Sequence, residues 1–341
     1  MAAAAPKPPP RSAGPPHPDD LMTTETASDL DVADVSATSP TPTARRSWKT
    51  TLPGGLLREA RPKQWIKNVL VFAAPGAAGM LMHRAVFVDA VVAFALFSLA
   101  ASGTYFVNDA RDVDADRHHP RKRHRPIAAG IVPVWLGWTM GIGLMAVSTA
   151  LAFGLGTWQL GLVISIYLVL TLNYSIWMKH IALLDIAVVA AGFILRALAG
   201  GVATGVPISE WFIIVTSFGS LFMVVAKRRA EFHDVGDDAA HKTRASLADY
   251  SVDLLNHMRT VSSAVCISAY CLWAFERADQ VGEAIWFQLS IAPFLLALFR
   301  YAMVCDQGRG GAPEEVILGD RMLQILGLVW IGCFAVGLYA S

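Results

Sequence analysis

Apolar runs of about twenty residues recur along this chain, separated by short polar joints. Nine are predicted to be helical spans, over 65–82, 86–108, 127–153, 157–175, 181–203, 209–227, 254–276, 282–303 and 316–340. Runs of that length match the hydrocarbon core of a bilayer. The first run is the weakest, because Pro75 and its small neighbours interrupt it, so a broken or tilted helix is expected there. Residues 1–47 follow no such pattern. They are Ala, Pro, Ser, Thr and Asp with almost no large apolar side chains, which predicts a disordered tail ahead of a membrane domain over 48–341. The chain start shows no signal-peptide pattern.

Composition supports an all-α polytopic membrane protein. Of 341 residues, 54% are hydrophobic and 16% are charged, against about a quarter charged in an ordinary soluble domain. The net charge of +1 says little, because the charges are segregated. Arg111, Arg117, Arg121, Lys122, Arg123 and Arg125 follow span 2, and Lys227, Arg228, Arg229, Lys242 and Arg244 follow span 6. Lys179 follows span 4 and Arg309 follows span 8, whereas the odd joints hold only Arg84 and Arg277. The positive-inside rule then predicts a cytoplasmic N-terminus and cytoplasmic even joints, with the C-terminus outside. Nothing in this pattern points to nucleic acid. Cys266, Cys271, Cys305 and Cys333 have no metal-ligand or disulfide spacing and read as small buried hydrophobes.

The joint after span 2 reads NDARDVDADRHHPRKRHRPIAAG, from Asn108 to Gly130. Asn108, Asp112 and Asp116 recur at i, i+4 and i+8, so a helix continued past the membrane edge stacks them on one face, with Asp109 close by. Stacked like charges destabilise a helix unless something positive balances them. One reading is a solvated loop in which Arg and Asp pair with each other. The other is a divalent cation on Asp112 and Asp116, and hard oxygen donors without His or Cys favour Mg²⁺ over zinc. Lys122 and Arg125, just behind, suit the same anionic ligand. His118, His119 and His124 read as solvated loop residues.

With these residues in view, NDARDVDAD resembles the NDxxDxxxD motif of the UbiA superfamily of intramembrane transferases, and KRHRPIAAG resembles the basic segment before that family's third helix. The resemblance covers roughly 58–340 and implies a nine-helix UbiA-like bundle with aspartates holding Mg²⁺ on a diphosphate leaving group. Typical members carry a second aspartate motif after helix 6. This chain has KRRAE at that point, with Asp234, Asp237 and Asp238 only further on. Fixed cations there suit a ligand with more phosphate charge than one diphosphate; the plainer alternative is positive-inside anchoring. RPKQWIKN (61–68), the stretch 172–201 and GGAPEEVILGDRML (310–323), together with KRRAE, look like the decaprenyl-phosphate phosphoribosyltransferase branch.

That resemblance implies transfer of 5-phosphoribose from 5-phosphoribosyl 1-diphosphate to a polyprenyl phosphate, a step toward cell-wall arabinan, at the cytoplasmic face of a bacterial plasma membrane. Both family chemistries expel diphosphate from a carbon able to carry positive charge, so metal neutralisation of the leaving group serves either. Asp112, Asp116 and Asn108 are the catalytic candidates, and Asp112 and Asp116 the metal ligands. Lys179, Lys227 and Arg228 are candidates for the donor 5-phosphate, and Lys67 or Arg125 for guiding the acceptor phosphate. Asn68, Asp109, Lys122, Tyr174, Asp185 and Glu231 complete the substrate-binding candidates.

Asp185 and Arg196 lie eleven residues apart in span 5 and share nearly one side. Charges at such depth face a cavity or pair with something; Asp185 is near enough to the cytoplasmic edge to reach the site, and Arg196 is expected to have a structural partner. Trp65, Trp158, Trp211 and Trp286 read as interfacial belt residues, and Glu276 with Arg277 as an outer anchor. Two other functions compete: prenyl transfer to an aromatic or haem acceptor, and a transporter or scaffold. Charge gathered on one membrane side argues against the transporter. The sequence leaves a homo-oligomer open.

Overall fold

The computed structural model describes residues 48, 51–235, 249–281, 285–309 and 313–339. The expected tail over 1–47 and the acids Asp237 and Asp238 lie outside the described residues, as does the side chain of Asp234. Among the described residues every regular element is helical. In chain order these are α1 (Leu52–Glu59), a 3₁₀ segment (Pro62–Phe72), α2 (Ala73–Ala77), α3 (Arg84–Arg111), α4 (Val113–His118), α5 (Val134–Leu155), α6 (Trp158–Ile176) and α7 (Leu184–Thr204). There follow α8 (Glu210–Val235), α9 (Val252–Val281), α10 (Ile285–Leu289), α11 (Ile291–Val304), α12 (Pro313–Gly319) and α13 (Arg321–Tyr339).

Eight of the described helical stretches are long and apolar enough to cross a membrane: α3, α5, α6, α7, α8 and α9, the α10–α11 stretch and α13. The protein is therefore a multi-pass membrane protein; among the described residues eight of the nine expected spans are long helical stretches. The first predicted span is instead the 3₁₀ segment followed by the short α2. At 2.0 Å per 3₁₀ residue and 1.5 Å per α residue these sixteen residues still reach roughly 30 Å. Arg61, before the segment, binds Asp109 at one end of the bundle, and the Gly79 carbonyl, beyond α2, accepts from Tyr339 Oη at the other (3.1 Å).

Close approach makes this unusual segment possible. A Cβ on Gly200 of α7 would lie 1.8 Å from the Val71 carbonyl oxygen, so the glycine lets the two backbones touch. Gly200→Ala is expected to force them apart and to destabilise the protein by about 1–3 kcal/mol. A lowered Tm in detergent checks this. Where α3 crosses α5, Gly103 and Gly141 do the same work; a Cβ on either would lie within 3.0 Å of the other's carbonyl oxygen.

Span 3 was expected from residue 127, but α5 begins at Val134. Ile127 and Val132 are instead buried in the preceding loop, packed with Phe106, Ala110 and Val113, so an apolar loop docked under the bundle mimics a helix start in the sequence. The last span also starts late. Asp320 interrupts it, accepting from the Leu323 backbone N–H (2.9 Å) as a helix cap while Arg300 holds both of its oxygens. That grip and cap hold the Asp320 carboxyl down at about 2.

Inside the bundle, Arg196 does not meet Asp185. Its guanidinium donates to Asn68 Oδ1 (2.7 Å), the Gly192 carbonyl (2.6 Å) and Tyr167 Oη (3.0 Å). Trp65 departs from the belt expectation, because its indole N–H turns inward to the Ala60 carbonyl and Ser102 Oγ.

Candidate active site

The even joints gather at one end of the bundle. Arg111 at the end of α3 donates to the Ser175 carbonyl at the end of α6 (2.8 Å). Arg228 of α8 reaches Tyr174 Oη at 3.5 Å, and Tyr250 before α9 accepts from the Leu183 N–H before α7 (2.6 Å). Lys67 of the 3₁₀ segment lies 3.1 Å from Glu314 of α12. The two described non-glycine residues with positive φ, Arg61 (52°) and Leu183 (64°), both lie at this end. Strain of that kind persists where the surroundings over-determine the backbone.

The aspartate face forms as the spacing predicts, although Asp112 is a turn residue between α3 and α4. The Asp112 N–H donates to the Asn108 carbonyl and the Asp116 N–H to the Asp112 carbonyl, each at 2.9 Å. Helical register therefore carries Asn108, Asp112 and Asp116 down one side. Charge balance is more mixed than a divalent cation alone. Arg125 Nη1 donates to Asp109 Oδ1 (3.0 Å) and to Asp116 Oδ2 (2.7 Å), Arg61 holds the other oxygen of Asp109, and Lys122 is 3.8 Å from Asp116 Oδ1. Asp109 and Asp116 are buried, whereas Asp112 is half-exposed with its neighbour Arg111 at 3.2 Å. At Asp109 the compensating charge is therefore two guanidinium groups, the Arg–Asp pairing that is one of the two readings of this stretch.

Sequence reasoning missed Glu59, the last residue of α1, which is 1% exposed beside Asp109. Burial, and then the neighbouring Asp109 carboxylate, push its carboxyl from 4.5 up to about 9. Both Glu59 oxygens are enclosed without a hydrogen-bond partner, and such a site favours the neutral carboxyl over the carboxylate. A raised carboxyl favours the folded state while protonated; that contribution is full below 4.5 and is lost as pH rises to about 9. Glu59→Gln is neutral at all pH, so its Tm is expected to fall less than the parent's across that window. Parallel pH series of melting curves check the difference.

The second wall is built on α7 and α8. Asp185 is fully enclosed, accepting from Arg228 Nε (3.0 Å) and from the Tyr250 hydroxyl (2.6 Å). Burial, and then this bond to Asp185, hold the Tyr250 phenol above its ordinary value, so it remains a donor. Arg228 also grips Glu231 (2.6 Å), and Lys227 lies 3.8 Å from Glu231. The KRRAE run thus keeps one arginine inside to brace the wall, with Lys227 half-buried at the rim. Lys179, half-buried in the turn after α6, belongs to the same end. Asn68 is the candidate least open to a ligand: it is fully enclosed, it accepts from Arg196, and its amide donates to Ser98 (3.0 Å).

Among the described residues no three His, Cys, Asp or Glu side chains converge as a preformed metal cage. The donor set nonetheless fits Mg²⁺, which takes one or two carboxylates and completes its shell with water and substrate phosphate oxygens. Asp112 and Asp116, one helical turn apart, are such a pair.

Residues 69–337 match the UbiA prenyltransferase family. A decaprenyl-phosphate phosphoribosyltransferase of Mycobacterium tuberculosis is 47% identical over 284 residues, covering 82% of this chain and 93% of the relative. One from Corynebacterium glutamicum is 44% identical over 300 residues, covering 86% and 90%. A UbiA homolog from Archaeoglobus fulgidus, solved with GPP and Mg²⁺, superposes with a TM-score of 0.61 at 16% identity over 84% of this chain and 100% of that one, a likeness of fold.

Proposed function

The chain belongs to the UbiA prenyltransferase family, and we propose that within it the protein transfers 5-phosphoribose from 5-phosphoribosyl 1-diphosphate to decaprenyl phosphate, releasing diphosphate. The observation that carries the reading is the identity of 47% over 284 residues with a relative of that name. The site supports it independently. Aspartates that suit a diphosphate lie at the same end of the bundle as Lys227 and Arg228, where a prenyl donor with one diphosphate has no second phosphate to seat. Prenyl transfer, the alternative, is less supported on both counts.

Asp112 and Asp116, with Asn108 a turn before, would hold Mg²⁺, which when bound would supply charge neutralisation at the leaving diphosphate. Arg125 and Lys122 add fixed positive charge beside the same carboxylates. Lys227 and Lys179 seat the 5-phosphate, and Arg228, locked by Asp185 and Glu231, sets where that seat lies. Lys67, held near Glu314, guides the acceptor phosphate. An acceptor oxygen bonds to the anomeric carbon while the bond from that carbon to diphosphate breaks, and the electron pair leaves with diphosphate. The acceptor oxygen is already anionic, so charge stabilisation matters more than a base. The donor arrives from the cytosol and the lipid from the bilayer, with the even joints on the cytoplasmic side.

Purified protein given labelled phosphoribosyl diphosphate, decaprenyl phosphate and Mg²⁺ is expected to yield labelled lipid. Prenyl diphosphate with an aromatic acceptor is expected to yield none, and the reverse outcome overturns the reading. In the same assay Lys227→Ala is expected to raise the donor KM about tenfold, as the loss of about 1.4 kcal/mol of binding. An unchanged KM reduces Lys227 to an anchor.

A further inference from the structure

At the end of the bundle opposite the aspartates the odd joints enclose a cavity of about 280 Å³. Trp211, on its rim, and Arg228, in the active site, are seventeen residues apart on α8, so roughly 25 Å of helix separates the two places. One wall is narrow and apolar, made by Ala74, Ala77 and Ala78. The opposite wall carries Trp211, Trp273, Glu276 and Arg277. Glu276 accepts from the Trp211 indole N–H and from the Gln280 amide, and Arg277 Nη1 donates to Gln280 (3.1 Å). These bonds leave the Arg277 Nε buried without a hydrogen-bond partner. A buried guanidinium N–H without a partner is costly, and a ligand oxygen is one remedy.

Charge selects the ligand. A lone cation in an apolar cleft would suit any anion, but Glu276 adds a negative charge within the same walls, so a purely anionic group meets repulsion as well as attraction. A group with both signs satisfies both: phosphate on Arg277 and an ammonium on Glu276. An adjacent apolar wall and two tryptophans among the lining residues are the surroundings of a lipid at the membrane boundary. We propose that this cavity binds the phosphoethanolamine headgroup of a zwitterionic phospholipid, with an acyl chain along Ala74–Ala78, and that the bound lipid ties the short α2 to α8 and α9. An amine is favoured over a quaternary nitrogen because Glu276 rewards N–H donors. This site is independent of the transfer reaction.

Delipidated protein in detergent, supplemented in turn with phosphatidylethanolamine, phosphatidylglycerol, phosphatidylcholine or inorganic phosphate with ethanolamine, tests this by melting temperature and by native mass spectrometry. Phosphatidylethanolamine is expected to be retained at one per chain, at least tenfold more tightly than the other two lipids, and to raise Tm. The soluble pair is expected to leave Tm unchanged. Arg277→Gln is expected to lose the retention, and Glu276→Gln to lose the preference over phosphatidylglycerol. Equal retention of all three lipids, retention unchanged in Arg277→Gln, or an equal Tm rise from the soluble pair overturns the proposal. Because Arg277→Gln can itself alter folding, its Tm without lipid is compared first; a variant with parental Tm and parental lipid retention refutes the site directly.

Discussion

Asp112→Ala is expected to lower phosphoribosyl transfer by about 10³-fold, a loss of about 4 kcal/mol of transition-state stabilisation, while the protein stays folded. The asymmetry among the aspartates motivates the choice. Asp112 is half-exposed and has one weak ion pair with its neighbour, so removing it orphans no buried charge. Asp116→Ala is expected to lose comparable activity but also stability, because Arg125 and Lys122 both lean on that buried carboxylate. Single-turnover rates with melting curves separate the two effects. Activity within tenfold of the parent in both variants contradicts the metal assignment.

The second large effect lies at the Asp185–Arg228 pair, in which both side chains are at most 4% exposed. Breaking a buried pair from one side leaves an uncompensated charge and costs about 3–5 kcal/mol. Asp185→Ala is therefore expected to lower stability by that amount. The double variant Asp185→Leu with Arg228→Met is expected to regain most of it, since well-packed apolar residues replace buried pairs at little cost. Donor binding is not expected to return, because Lys227 then has no braced wall beneath it. Chemical unfolding and donor titration on the same samples check both halves. A double variant that binds donor normally confines the pair to stability.

Much of this is legible in the residue pattern. Apolar length marks eight spans, because bilayer thickness imposes one scale on them, and the i, i+4, i+8 spacing at Asn108 carries through the backbone even across the turn at Asp112. The first span is broken, as Pro75 and its small neighbours suggest, but that its first eleven residues follow a 3₁₀ path, against the close approach at Gly200, is announced by no hydrophobic period. Glu59 is missed for a different reason. A single glutamate in a short amphipathic helix looks solvated, and only the fold brings it against Asp109. Asp185 is found by its depth, but its partner is not, since Arg228 is 43 residues away and Arg196 is the nearer cation in sequence.

The central claim is that Asp112 and Asp116 share a divalent ion with the diphosphate of the donor. Electron–nuclear double resonance with Mn²⁺ in place of Mg²⁺ reads this contact directly, through coupling of the ion to ³¹P. The account predicts a strong ³¹P coupling when protein, Mn²⁺ and phosphoribosyl diphosphate are together, with a protein-bound ion whose signal is lost in Asp112→Ala and Asp116→Ala. Donor binding of unchanged affinity without any divalent ion, or a bound-ion signal identical in those two variants, contradicts it.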